Sequence, residues 1–128
     1  MTPSGFQIGI VGVGRMGANM ARRLHDLRYA IVAVYDTDPQ RAKELAKELA
    51  CVAATSPAHV AEMTDTVLTV VSDDAAMRQI YSPDGPDSLL RHATKRLFIN
   101  CATLSPELQR DVHALVEQHG GRSLEACM

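Results

Sequence analysis

Short apolar runs alternate with amphipathic stretches along nearly the whole chain. Residues 7–11 (Gln-Ile-Gly-Ile-Val) are short and β-branched, the pattern of a buried strand. Past a Gly-rich turn, Met16, Met20, Leu24 and Leu27 recur at helical spacing, with Arg22, Arg23 and Asp26 on the other side. Residues 31–35 predict a second strand. Asp38-Pro39 then opens a helix, with Asp at the N-cap and Pro in the first turn, that carries Ala42, Leu45, Ala46 and Leu49. Residues 51–54 predict a third strand, and Ser56-Pro57 opens another helix that ends near Met63. A nearly all-apolar fourth strand is expected over 66–71, followed by a short helix over 75–81. Pro83-Asp84-Gly85-Pro86 is a turn cluster, and 87–92 predict a helical piece. A fifth strand is expected over 97–101. Ser105-Pro106 caps a long helix that ends at Gly120-Gly121, and 123–128 read as the start of a sixth strand.

Strict alternation of apolar strands with helices predicts an α/β fold: a parallel sheet with helices on both faces. A length of 128 residues supports one domain with a real core, spanning 1–128. The chain stops inside an apparent strand, so the expectation is a truncated domain with more sequence beyond it.

Composition narrows the function. The chain is 46% hydrophobic and 22% charged with a net charge of −2, ordinary values that leave no basic footprint for nucleic acid or an acidic membrane. The longest apolar runs are strand-sized, and the first seven residues have no signal-peptide pattern. The three cysteines, Cys51, Cys101 and Cys127, form no metal-binding or CxxC spacing, which predicts a reducing, cytoplasmic setting. His113 and His119 are six apart, on different faces of a helix, so no metal site is expected.

Gly12-Val13-Gly14-Arg15-Met16-Gly17 matches GxGxxG. It follows a predicted strand and opens a predicted helix, the context in which that pattern binds a dinucleotide. Gly12 permits the tight turn, Gly14 leaves room for a pyrophosphate, and Gly17 lets the helix approach the strand. The helix N-terminus offers free N–H groups and partial positive charge. Arg15 reads two ways, as a phosphate neighbour or as a solvated side chain. Asp36 ends the second strand, 19 residues after Gly17, where an acid accepts hydrogen bonds from the adenosine ribose. A carboxylate there repels a 2′-phosphate, so NAD is expected over NADP, although Arg41 nearby works in the opposite direction. Asp38 fits a capping role better than Asp36 does. There is no GxxxxGK[ST] for ATP, and the first strand lacks the acid usual in S-adenosylmethionine enzymes.

In an open α/β sheet, ligands lie beyond the carboxyl ends of the strands. Val71 and Ser72 after the fourth strand and Thr103 after the fifth are therefore candidates for the path towards the nicotinamide, or else ordinary strand-end residues. Asp73 and Asp74 read as a helix N-terminus. No His, Lys, Tyr or carboxylate stands out at the strand ends to exchange a hydroxyl proton. Cofactor binding therefore reads as complete, while no catalytic group is assigned.

The stretch from Gly12 through Met16, Met20 and Ala21 to Leu24 resembles the first βα unit of the β-hydroxyacid dehydrogenase family, which includes 3-hydroxyisobutyrate and 6-phosphogluconate dehydrogenases. Asp65 to Asp73 is similar to that family's fourth strand, Asn100 to Pro106 to its Asp-x-Ser-Thr-x-x-Pro segment, and Glu125 to Met128 to the opening of its Asp-Ala-Pro-Val-Ser-Gly-Gly segment. The resemblance implies a Rossmann fold, NAD(H) contacts at Val71, Ser72 and Thr103, and a small 3-hydroxy acid or related carbonyl substrate. It also implies a following helical domain that carries a catalytic lysine and most of a dimer or tetramer interface. This sequence departs from the family at Ala102, in place of a substrate-binding serine, at Asn100, in place of an aspartate, and at Ala76, in place of an asparagine. Two alternatives stay open: an imine-reducing relative and a cofactor-binding module without catalysis.

Overall fold

A computed structural model describes residues 5–102 and 104–126. Six strands form one parallel sheet: β1 (Gln7–Val11), β2 (Ala30–Tyr35), β3 (Val52–Ala53), β4 (Thr66–Thr69), β5 (Leu97–Asn100) and β6 (Arg122–Glu125). Their order is β3-β2-β1-β4-β5-β6. The chain starts in the middle, winds outwards one way, then returns and winds the other way, so the order reverses between β1 and β4. Helices α1 (Arg15–Asp26), α2 (Pro39–Leu49), α3 (Pro57–Met63), α4 (Asp74–Ile80) and α5 (Pro106–Gln118) make the crossovers. The piece expected over 87–92 is a single 3-10 turn, Leu89–His92.

Alternation along β1 divides the core. Ile8 and Ile10 pack with Ala21 of α1 and with Ala42, Leu45, Ala46 and Leu49 of α2. Val11 faces the opposite way, with Val67 and Phe98, onto Val60, Met77 and the α5 residues Leu108, Val112 and Val116. Each face therefore buries its own apolar stripe, which is what makes the sheet doubly wound.

Side chains start four of the five helices. Asp38 accepts from the Gln40 N–H (3.0 Å), Ser56 from His59 (3.1 Å), Asp73 from Ala76 (2.8 Å) and Ser105 from Leu108 (3.2 Å). Each satisfies an N–H that the helix itself cannot. The Asp38, Ser56 and Ser105 caps are the ones expected from the Asp-Pro and Ser-Pro pairs.

Two expectations need correction. The buried stripe of α1 is Gly17 and Ala21, with Met20 and Leu24 only partly covered; Met16 is 48% and Leu27 44% exposed. Small residues face the sheet because α1 runs so close to the turn that a Cβ on Gly17 would collide with the Gly12 carbonyl. The fourth strand ends at Thr69 and not at Val71. Its neighbour β1 ends at Val11, whose carbonyl takes the Val70 N–H (2.8 Å), and beyond that point Val70 and Val71 have no strand to pair with and line a cleft.

Candidate functional site

The cleft opens where the strand order reverses, beyond the carboxyl ends of β1 and β4. Its main part has a volume of about 540 Å³ and is lined by Gly12, Gly14, Asp36, Val71 and Ser72. Tyr35, Thr37 and Arg41 line its β2 end, and Gln79, Ile80 and residues 85–88, with Asp87 near Tyr35, complete the wall. An adjoining recess of about 340 Å³ runs past Arg15, Met16 and Gly17 to Cys101 and Ala102. Val71 and Ser72 line both spaces.

The Gly-rich turn is shaped by its first glycine. Gly12 has φ +98°, a conformation that L side chains rarely adopt, and a Cβ there would strike the Val70 carbonyl. Gly14 is a glycine for a different reason. Its φ of −66° and ψ of −163° suit any residue. A Cβ on it would meet only the Arg41 guanidinium, at 3.8 Å. Protein packing does not require a glycine at this position, so what the missing side chain leaves is space in the cleft. α1 begins there with Gly14 as its N-cap, no side-chain capping bond and no acid in its first turn. The first bond of the helix is from the Ala18 N–H to the Gly14 carbonyl (2.9 Å). The amides before Ala18 are the open donors of the helix and carry its positive end. A diphosphate fits this combination of open space, free donors and uncompensated dipole.

At the β2 end, the Asp36 carboxylate is held by backbone. Its Oδ1 accepts from the Val13 N–H (2.9 Å) and its Oδ2 from the Asp38 N–H (2.9 Å). Each oxygen keeps a lone pair for a ribose hydroxyl. Asp36 is thus a turn aspartate and a cleft-lining acid at once, where the sequence set these roles against each other. Val13, expected among the cofactor contacts, has its side chain in the core at 4% exposure and its N–H on Asp36. Burial, together with the nearby Asp87 and Asp36 carboxylates, pushes the Tyr35 hydroxyl above its ordinary range. Arg41 Nε lies 3.7 Å from the Asp38 carboxylate.

The recess towards Ala102 is poor in proton-transfer groups. Among its described lining residues only Arg15 and Cys101 ionise, and burial, then the Glu125 carboxylate, raises the Cys101 thiol above its usual value. Thr103, the remaining expected contact, lies outside the described residues. Behind the recess, the buried Asn100 Oδ1 accepts from Thr69 Oγ1 (2.7 Å) and from the Tyr81 hydroxyl (2.8 Å), and its Nδ2 donates to Glu125 Oε1 (3.5 Å). An aspartate at this position would set two carboxylates side by side, since Asn100 and Glu125 are register partners.

The sequence left several cleft residues unassigned. Tyr35 was legible only as a strand residue. Gln79 reaches the site from α4, and Asp87 through the fold of the 82–88 turn, where Gly85 N–H bonds to Ser82, Ser88 N–H to Gly85, and Arg91 Nε to the Gly85 carbonyl (2.9 Å). No local motif reports that placement.

A Gly-rich turn at the switch point of a β3-β2-β1-β4-β5-β6 parallel sheet, with an acid ending β2, defines a Rossmann-type dinucleotide-binding domain. A family model described as the NAD binding domain of 6-phosphogluconate dehydrogenase matches residues 7–128, and the chain belongs to this family. It is 32% identical over 120 residues to mitochondrial 3-hydroxyisobutyrate dehydrogenase of Mus musculus, covering 93% of this chain and 35% of that protein. The solved 3-hydroxyisobutyrate dehydrogenase of Mycobacterium tuberculosis, with L-serine, matches with a TM-score of 0.81 and 32% identity over 98% of this chain and 40% of that one. An imine reductase from Myxococcus stipitatus in complex with NADP+ shares the fold, with a TM-score of 0.80 at 23% identity, over 93% of this chain and 39% of that one. The chain spans about a third of the length of the curated relatives it matches.

Proposed function

We propose that this chain is the NAD(H)-binding part of an oxidoreductase that moves hydride between the nicotinamide ring and a small 3-hydroxy acid or related carbonyl compound. The observation that carries the cofactor reading is the Asp36 carboxylate, oriented by two backbone N–H groups at the rim of a cleft whose floor is the uncapped start of α1. When bound, the cofactor supplies the hydride chemistry. The chain's part is to seat and orient it. The amides at the start of α1 take the diphosphate, and Asp36 takes the adenosine ribose. Val71 and Ser72 lie where the path turns from the main cleft into the recess. Preference for NAD follows from charge: Asp36 and Asp87 both line the adenosine end, and the Arg41 side chain that would offset them is close to Asp38.

Hydride transfer to a carbonyl also needs a proton donor beside the substrate. The described residues of the recess hold no His, Lys, Tyr or carboxylate. We assign that role to sequence beyond this chain, as the family resemblance implies for a lysine in a helical domain, and with it the expectation of a homo-oligomer.

Ala102 favours a second reading. It lines the recess where the family pattern places a serine, so one donor for a substrate carboxylate is missing, and an imine or other non-acid substrate becomes the alternative. The test is a screen of 3-hydroxy acids, aldehydes and cyclic imines on a form of the protein that carries the following domain, with Ala102→Ser in parallel. Turnover of 3-hydroxy acids, raised by Ala102→Ser, supports the first reading. Turnover confined to imines overturns it.

A further inference from the structure

We propose that Asp36 is a positioning residue for the diphosphate-binding turn as well as the acceptor for the ribose, so that one carboxylate serves both halves of the adenosine diphosphate site. This rests on the reading that the chain takes NAD(H). The turn is fastened to the end of β2 at two successive amides. The Gly12 N–H donates to the Tyr35 carbonyl (2.8 Å), and the Val13 N–H donates to Asp36 Oδ1 (2.9 Å). The first bond is backbone to backbone and survives any substitution that keeps the strand. The second exists only through the Asp36 side chain, across 23 residues of sequence. Core packing anchors the Val13 side chain between α1 and α2, while its amide is directed by the bond to Asp36. Asp36 Oδ2 meanwhile takes the Asp38 N–H, and Asp38 in turn caps α2.

The carboxylate therefore cross-links the β1–α1 turn to the β2–α2 turn. It also fixes which amides remain for a ligand. With Gly12 and Val13 committed, the open donors begin at Gly14, directly under the space that its missing side chain leaves. Removing Asp36 frees the Val13 N–H and lets the turn relax before any ribose is present. The cost falls on diphosphate binding even when the ligand has no ribose hydroxyls to recognise.

The test uses wild type, Asp36→Ala and Asp36→Asn, titrated with NADH and with an NADH analogue that lacks both hydroxyls of the adenosine ribose. If the carboxylate served the ribose alone, the analogue would bind wild type and Asp36→Ala equally. The expected result is that Asp36→Ala binds the analogue about tenfold more weakly than wild type does, the loss of one charge-assisted bond. The second readout needs no cofactor. Amide hydrogen exchange at Val13 rises at least about tenfold in Asp36→Ala, while Gly12 and the β1 amides keep their protection. Asp36→Asn can accept with only one atom, so it shows faster exchange at Val13 or at Asp38 and serves if the alanine variant does not fold. Equal analogue affinity in wild type and Asp36→Ala overturns the proposal, as does unchanged exchange at both amides in Asp36→Asn. Wild type that binds neither NADH nor the analogue contradicts the cofactor reading instead, and the exchange measurement still decides whether the brace exists.

Discussion

Gly14→Ala separates the fold from the function at a single methyl group. The backbone at Gly14 suits alanine, and the new Cβ would have its nearest protein neighbour, Arg41 Nη1, at 3.8 Å. Alanine is a poorer N-cap than glycine, at a cost of a few tenths to about 1 kcal/mol. It also reduces the freedom of the unfolded chain, worth about 0.4–1 kcal/mol in the other direction. The net change in stability stays within about 1 kcal/mol, which moves the melting temperature by no more than about 4 °C. Binding responds differently. The methyl occupies space over the open amides of α1 and forces the diphosphate away from them. Losing one or two charge-assisted hydrogen bonds costs about 2–4 kcal/mol, or about 30- to 1000-fold in affinity. The assay is NADH fluorescence titration with a thermal melt on the same sample. Gly12→Ala is the contrast: positive φ and a collision with the Val70 carbonyl make it lose about 3 kcal/mol or more of stability. Gly14→Ala that binds NADH as tightly as wild type would show that the diphosphate does not cross Gly14. A collapse of its stability would show that the space above Gly14 is not open.

Two further outcomes test the frame around the site. Arg96 donates through Nε to the Ala61 and Thr64 carbonyls (both 3.1 Å), through Nη2 to Glu62 and through Nη1 to Thr94, closing the end of α3 that packs on β1. Arg96→Ala should cost about 2 kcal/mol and lower the melting temperature by about 6–10 °C in a denaturation scan; an unchanged melt would mean those carbonyls are satisfied without it. Burial, reinforced by the Glu125 carboxylate, raises the Tyr81 hydroxyl far above its usual value of 10.0. Below pH 10 the proton is on in both folded and unfolded chains and stability is unaffected. Above pH 10 only the unfolded chain releases it, so stability falls as pH rises. Tyrosinate absorbance from Tyr81 should therefore appear only together with alkaline unfolding, and its appearance in a still-folded protein would contradict the burial.

The sequence carried the sheet and the turn because both are written in local pattern. Apolar runs bounded by Asp-Pro and Ser-Pro predict strands and caps, and GxGxxG followed 19 residues later by Asp36 predicts a site. What escaped depends on distances between segments. The bond from Val13 to Asp36 exists because β1 and β2 end level with each other, with Val11 beside Tyr35 in the register. Val70 and Val71 look like strand and leave it because their neighbours stop first. Met16 and Leu27 look like core and are exposed, since only Gly17 and Ala21 are small enough for the close face of α1. Asp87 reads as the start of a helical piece, and only the folded 82–88 segment brings it to the cleft.

Calorimetric titration of the wild-type chain with NADH and with NADPH tests the central claim most directly. An acidic adenosine end with an oriented Asp36 predicts one-to-one binding of NADH, with NADPH at least about tenfold weaker, equivalent to about 1.4 kcal/mol. NADPH binding as tightly as NADH or more tightly, or no binding of either, would contradict the claim.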